Sequence, residues 1–247
     1  MSPHAAAKPH ARGDRRSIAL FGGTFDPIHT GHIAVAQAAQ RRFHLDAIYF
    51  IPSSHPPHKP QAELSPFIHR YTMAAVACAD HPGFIPSLAE GPTGAGERVF
   101  YSIDTARRFR REHPDDHIYF IVGADQFLEV PTWKNYEALL DSCDFIVASR
   151  PGFRLDALRL VIPPEKLARP TDRTTGGSAA GTSAEAAHAT HESNKIVLRK
   201  SVIHLLTTVA SHVSSTEIRE RLAKKQSVRG LVPPRVEEYI QSQALYR

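Results

Sequence analysis

Ser17-Ile18-Ala19-Leu20-Phe21-Gly22-Gly23-Thr24-Phe25-Asp26-Pro27-Ile28-His29-Thr30-Gly31-His32 is the stretch that decides the fold. A short apolar run ends in two glycines, which is how a buried parallel strand entering a tight turn reads. Glycines at that point permit backbone conformations and close approaches that a side chain would block. From Gly31 to Phe43 the spacing becomes helical, with Ile33, Ala36, Ala38 and Ala39 on one apolar side. A helix N-terminus after such a turn offers unpaired N–H groups and a positive dipole end, both of which favour phosphate. His29 and His32 are three apart at that helix start, so both imidazoles can face one bound anion. An imidazole N–H can donate to a phosphate oxygen as negative charge builds there.

Working outward, strands and helices alternate. Ala47 to Ile51 is a second buried strand, stopped by Pro52. The spacing predicts helices over His69 to Ala79 and Ser102 to Glu112, then a strand over His117 to Val122 that ends at Gly123. A helix around Asn135 to Ser142 precedes a strand over Asp144 to Ala148. Val202 to Leu206 reads as a strand, followed by two helices, Ser215 to Ala223 and about Pro234 to Ser242. This alternation predicts an α/β fold: a Rossmann-like, doubly wound parallel sheet with a small C-terminal helical part. Ligands of such sheets sit at the carboxyl ends of the strands, where the chain order switches. The motifs discussed here each follow a predicted strand.

The chain of 247 residues is long enough for one well-packed α/β domain, expected over 17–247. Residues 1–16 lack any apolar period and read as a flexible tail. Pro170 to Ser193 is rich in Gly, Ala, Ser and Thr and reads as a mobile insertion, unable to bury enough to offset its ordering entropy. His188 and His191 within it carry no metal reading. Cys78 and Cys143 stand in apolar stretches without metal-ligand spacing and read as reduced core thiols. No apolar run approaches the roughly 20 residues that span a bilayer, and no secretory segment follows the basic start, so a cytoplasmic protein without a membrane partner is expected. The net charge of +5 would suit either nucleic acid or a phosphate-rich small substrate.

The motif His29-Thr30-Gly31-His32 resembles the T/HxGH signature of the HIGH-type nucleotidyltransferase superfamily. Val213-Ser214-Ser215-Thr216-Glu217-Ile218-Arg219 resembles its ISSTxIR motif, with Val213 in place of the usual Ile. Here the hydroxyls cap the next helix, and Arg219 stands one turn in, within reach of a triphosphate. Further passages are similar to the bacterial nicotinate-nucleotide adenylyltransferase family. These are Pro52 to Lys59 (PxxxPPHK), Tyr101-Ser102-Ile103-Asp104-Thr105 (YTxDT), Gly123-Ala124-Asp125 with Trp133, Arg150-Pro151-Gly152, and Tyr246-Arg247. The resemblance runs from about Ile18 to Arg247, leaving out the insertion.

That resemblance implies transfer of AMP from ATP to nicotinate mononucleotide in NAD biosynthesis, with pyrophosphate released and Mg²⁺ carried by the ATP phosphates. It implies that His29, His32, Lys59 and Arg219 face the reacting phosphates. Gly22, Gly23, Thr24, Phe25, Gly123, Asp125, Ser214, Ser215 and Thr216 would form the ATP site. Ser53, Tyr101, Ser102, Thr105, Trp133 and Arg150 would form the acceptor side, with Arg150 on the mononucleotide phosphate. Ser102 replaces Thr but keeps the hydroxyl, and Lys134 follows Trp133 where some members carry an aromatic. A nicotinamide acceptor differs by one charge and is separated only by this resemblance. A nucleotide sensor or RNA-binding protein on the same fold would more readily lack one of His29, His32 or Arg219, and all three are present. The expected partners are therefore the two substrates, with no nucleic acid, in a monomer or small homo-oligomer.

Overall fold

The computed structural model describes residues 15–54, 64–92, 99–168, 194–207 and 213–247. The expected insertion, Lys59 and the first fourteen residues of the expected tail lie outside them. Seven strands form one sheet: β1 (Ser17–Gly23), β2 (Ala47–Pro52), β3 (Phe84–Pro86), β4 (His117–Gly123), β5 (Asp144–Ala148), β6 (Lys195–Val197) and β7 (Val202–Leu206). Their spatial order is β3-β2-β1-β4-β5-β7-β6. All neighbours pair parallel except β6 with β7. The chain winds outward from β1 to β3 on one side, then returns to β4 on the other side of β1. The switch point of the doubly wound sheet therefore lies between β1 and β4, whose carboxyl ends are Gly22-Gly23 and Gly123.

Burial explains why β1 and its neighbours read as continuous apolar runs. Successive strand residues face opposite sides of the sheet, and both sides are covered. Ile18 and Leu20 join a core with Phe120, Phe145, Phe109 and Phe127. Ala19 and Phe21 join a second core with Phe50, Ile33, Met73 and Ile218. The helices over the second core are α1 (Thr30–Phe43), α2 (Phe67–Cys78), α7 (Ser215–Ala223) and α8 (Pro234–Ser242), while α3 (Ser102–Glu112) and α5 (Tyr136–Leu140) cover the first. In α3 the buried Ile103, Ala106 and Phe109 recur every third residue. Arg41 and Arg42 occupy the last turn of α1, where cations meet the negative end of the helix dipole.

Two more five-residue helices, α4 (Ala124–Leu128) and α6 (Leu155–Arg159), follow β4 and β5. These two helices and strands β3 and β6 go beyond the expected elements. Three-residue edge strands and single-turn helices are too short to carry a period of 2 or 3.6, and β3 ends in a proline. Cys78 and Cys143 are free and buried, and burial pushes both thiols up to about 12. No described helix is long and apolar enough to cross a membrane.

Candidate active site

A cleft of about 480 Å³ opens at the switch point. The β1–α1 loop, the end of β4 with α4, the end of β5 and the start of α7 form its walls. Of the residues singled out by sequence, it gathers Gly22, Gly23, Thr24, Phe25, His29, His32, Gly123, Asp125, Arg150 and Ser215.

The two histidines are held closely. Their rings stack with centroids 3.7 Å apart. His29 is buried, and that burial lowers its pKa to about 4, so the ring is neutral at pH 7. His32 Nδ1 accepts the backbone N–H of His29 at 3.2 Å. A ring nitrogen that accepts a hydrogen bond carries no proton, so the neutral His32 bears its proton on Nε2. The ring of Phe25 meets His32 edge-on at 5.0 Å, and Phe21 does so at 6.1 Å. Stacking on His29, two edge-on aromatic contacts and a backbone bond thus orient His32.

Phe25 itself has a left-handed backbone (φ 50°), and its ring is almost wholly buried against Phe21 and Phe50. Its side chain serves the core, and the backbone beside it borders the cleft. A Cβ on Gly23 would lie 3.0 Å from the Phe25 ring, so any side chain there would push that ring by a few tenths of an ångström. A Cβ on Gly123 would meet nothing within 4 Å. Gly123 has negative φ and precedes the first turn of α4, which carries the exposed Asp125. Its missing side chain leaves open space at a strand end, where a ligand's backbone approach is closest.

The start of α7 is bound to the β1–α1 loop. Ser214 caps the helix, its hydroxyl accepting the Glu217 N–H at 3.1 Å. Ser215 donates its hydroxyl to the Pro27 carbonyl at 3.0 Å. Arg219 donates to the Asp26 carbonyl at 2.8 Å and reaches the Thr216 hydroxyl at 3.4 Å. Ser214, Thr216 and Arg219 thus stand beside the cleft behind Ser215.

The residues expected on the acceptor side form a neighbouring group. Lys134 places its ammonium 4.0 Å from the centroid of the Tyr101 ring, joining the Trp133 segment to the start of α3, where Ser102 lies. Trp133 is half-buried, with its ring edge-on to Phe120. The hydroxyl of Thr105 donates to the buried carboxylate of Glu90 at 2.7 Å. Ser53 bonds the same carboxylate, whose pKa is raised by burial against both of these bonds. Ser53 and Thr105 are therefore joined through the buried Glu90.

Sequence reasoning missed Glu90 and Arg70, and gave no site role to Asp26 and Tyr246 although both stand in motifs it singled out. A signal did exist for Arg70, which lies in helical step with Met73, Ala74 and Ala77 on the buried side of α2. For Asp26, Glu90 and Tyr246 the partners come from distant segments, and local spacing carries no trace of them.

Comparison with known proteins agrees with this geometry. The cytidylyltransferase-like family model matches residues 20–221. A protein of Moorella thermoacetica named "Probable nicotinate-nucleotide adenylyltransferase" is 38% identical, the match covering 93% of this chain and 91% of that protein. One of the same name from Pelobacter propionicus is also 38% identical, over 93% of this chain and 97% of its own. Among solved structures, the nicotinic acid mononucleotide adenylyltransferase of Plasmodium falciparum complexed with NaAD superposes with a TM-score of 0.66 at 18% identity. That match covers 94% of this chain and 98% of the other, and at such identity it speaks for the fold. With a switch-point cleft, a stacked histidine pair over a glycine turn and full-length relatives of one kind, the chain belongs to the nicotinate-nucleotide adenylyltransferases of the cytidylyltransferase-like family.

Proposed function

We propose that the cleft carries out the family reaction as follows, transferring AMP from ATP to nicotinate mononucleotide. An oxygen of the mononucleotide phosphate attacks the α-phosphorus of ATP. The bond from that phosphorus to the α,β-bridging oxygen breaks, and pyrophosphate leaves with the electron pair. Nicotinate adenine dinucleotide is the product. The attacking phosphate is already ionised at neutral pH, so the site needs no strong general base. Its work is alignment and stabilisation of charge.

On this reading the triphosphate lies over Gly22, Gly23 and Thr24, between the N-termini of α1 and α7. His32 donates its Nε2 proton in a hydrogen bond to the reacting phosphates, and the neutral His29 donates beside it. Ser214, Ser215, Thr216, Arg219 and Lys59 complete the phosphate contacts. Asp125 takes a ribose hydroxyl, and Gly123 gives the nucleotide room. Mg²⁺ enters with ATP as part of the substrate and offsets phosphate charge. Arg150 neutralises the mononucleotide phosphate. Ser102 and Trp133 receive the nicotinate, with Tyr101, Ser53 and Thr105 framing that wall. The setting is the cytoplasm, with the whole activity in one chain.

The observation that carries this reading is the stacked His29–His32 pair at the start of α1, with its proton position fixed by a backbone bond. It predicts that His32→Ala lowers turnover by about 10²-fold or more, the scale for losing a transition-state donor. Near-normal turnover in a folded His32→Ala enzyme would contradict the assigned role.

A further inference from the structure

Behind the nucleotide loop lies a set of buried polar groups that the chemistry does not use. Asp26 is 1% exposed, yet it carries a carboxylate. One of its oxygens accepts the Tyr246 hydroxyl at 2.5 Å, the other the Ser65 N–H at 3.1 Å, and its carbonyl accepts Arg219 at 2.8 Å. Arg70, also 1% exposed, spreads its guanidinium over four carbonyls. It reaches Thr24 at 2.9 Å, Ser53 at 2.6 Å, Ser65 at 3.0 Å and Ser54 at 3.4 Å.

Burying a carboxylate and a guanidinium is costly unless each is fully hydrogen-bonded. Packed apolar side chains would hold two loops together at lower cost, so the arrangement calls for a reason beyond stability. Its geometry supplies one. The bonds that Arg70, Arg219, Ser65, Ser215 and Tyr246 make to the β1–α1 loop all fall on carbonyls or on the Asp26 carboxylate, so these residues hold the loop through its acceptors. Arg70 joins this loop to the β2–α2 loop in one rigid fork, and Asp26 joins it to Arg219 on α7 and to Tyr246 beyond α8.

We propose that Tyr246, Asp26 and Arg70 form a positioning network, in which the Tyr246–Asp26 pair sets the nucleotide loop and the Arg219 guanidinium in their ATP-binding arrangement, while Arg70 also holds Ser53 of the acceptor wall. The inference rests on the reading of this cleft as an ATP site. Tyr246 acts through Asp26, and Arg70 acts through the carbonyls it holds. Neither touches substrate. Tyr246→Phe removes one oxygen and leaves a buried carboxylate oxygen without that donor. Arg70→Lys keeps the charge, but a single ammonium with three donors cannot reproduce the planar fork over four carbonyls.

The test uses the full-length protein, its Tyr246→Phe and Arg70→Lys variants, and α,β-methylene-ATP with Mg²⁺ as the calorimetric probe. Steady-state KM values for both substrates and thermal melts are measured in parallel. In Tyr246→Phe, which keeps a cooperative melt, analogue binding weakens about tenfold and KM for ATP rises by a similar factor, the scale for orphaning one buried hydrogen-bonding group. KM for the mononucleotide stays within about twofold. Arg70→Lys, which loosens both the Thr24 and the Ser53 carbonyls, raises KM for both substrates, and a rise in neither would overturn its part in the network. Unchanged analogue binding in Tyr246→Phe would overturn the network, as would equal rises in both KM values of that variant, which mark general loosening. Failure of the wild-type protein to bind the analogue would overturn the ATP reading itself, and this inference with it.

Discussion

His29 shows how a single side chain can be tuned by its surroundings alone. Burial lowers its pKa from 6.5 to about 4, with no charged partner contributing. Between those two values the unfolded chain binds a proton that the native ring refuses, so stability rises with pH through the window and falls as pH drops from about 6.5 towards 4. The loss from this one group amounts to at most about 3 kcal/mol by linkage. Thermal melts from pH 7 to pH 4.5 should therefore fall less steeply for His29→Asn than for the wild type, and parallel curves would contradict the burial argument. Gly123 makes the opposite case, a residue defined by what it lacks. Because an added Cβ meets no protein atom within 4 Å, Gly123→Ala should fold and melt like the wild type. If ATP occupies that space, its KM should rise by about tenfold, the effect of roughly 1.4 kcal/mol. An Ala variant that melts lower with unchanged KM would assign the glycine to the fold.

Among the elements, α7 has the clearest division of labour. Ser214 caps it through the Glu217 N–H, whereas Ser215 and Arg219 tie it to the β1–α1 loop. Ser214→Ala should cost about 1 kcal/mol, the usual effect of losing a cap. Denaturant melts would read this as a lower midpoint at unchanged slope, and no shift would show that Ser214 is not acting as a cap. Elements of this length were legible in the sequence. The helices expected over 215–223 and 102–112 and the strand expected over 144–148 all coincide with observed bounds. What sequence did not show were β3, β6, α4 and α6, which are three or five residues long. The two strands exist by pairing with a longer neighbour and the two helices are single turns, and no local period records either.

Across the whole molecule, the parallel sheet turns separate motifs into one site. Gly22-Gly23 and Gly123 lie a hundred residues apart in sequence, yet they end adjacent strands, and β5 delivers Arg150 to the same cleft. Position at strand ends was readable because apolar runs stopped at glycines or a proline. The support behind the cleft was readable only at Arg70, from its buried helical position, since Tyr246 meets Asp26 across 220 residues of chain. Glu90 is likewise visible only in three dimensions, where it gathers Ser53 and Thr105 of the expected acceptor wall. Lys134 over Tyr101 closes that wall beside Trp133.

One cleft is proposed to join AMP to the nicotinate nucleotide. Pyrophosphate release in the presence of ATP and Mg²⁺, compared for nicotinate mononucleotide and nicotinamide mononucleotide at matched concentrations, tests it most directly. Rapid release with the nicotinate form and much slower release with the nicotinamide form is the predicted result. Release with neither acceptor, or faster release with nicotinamide mononucleotide, would contradict the account.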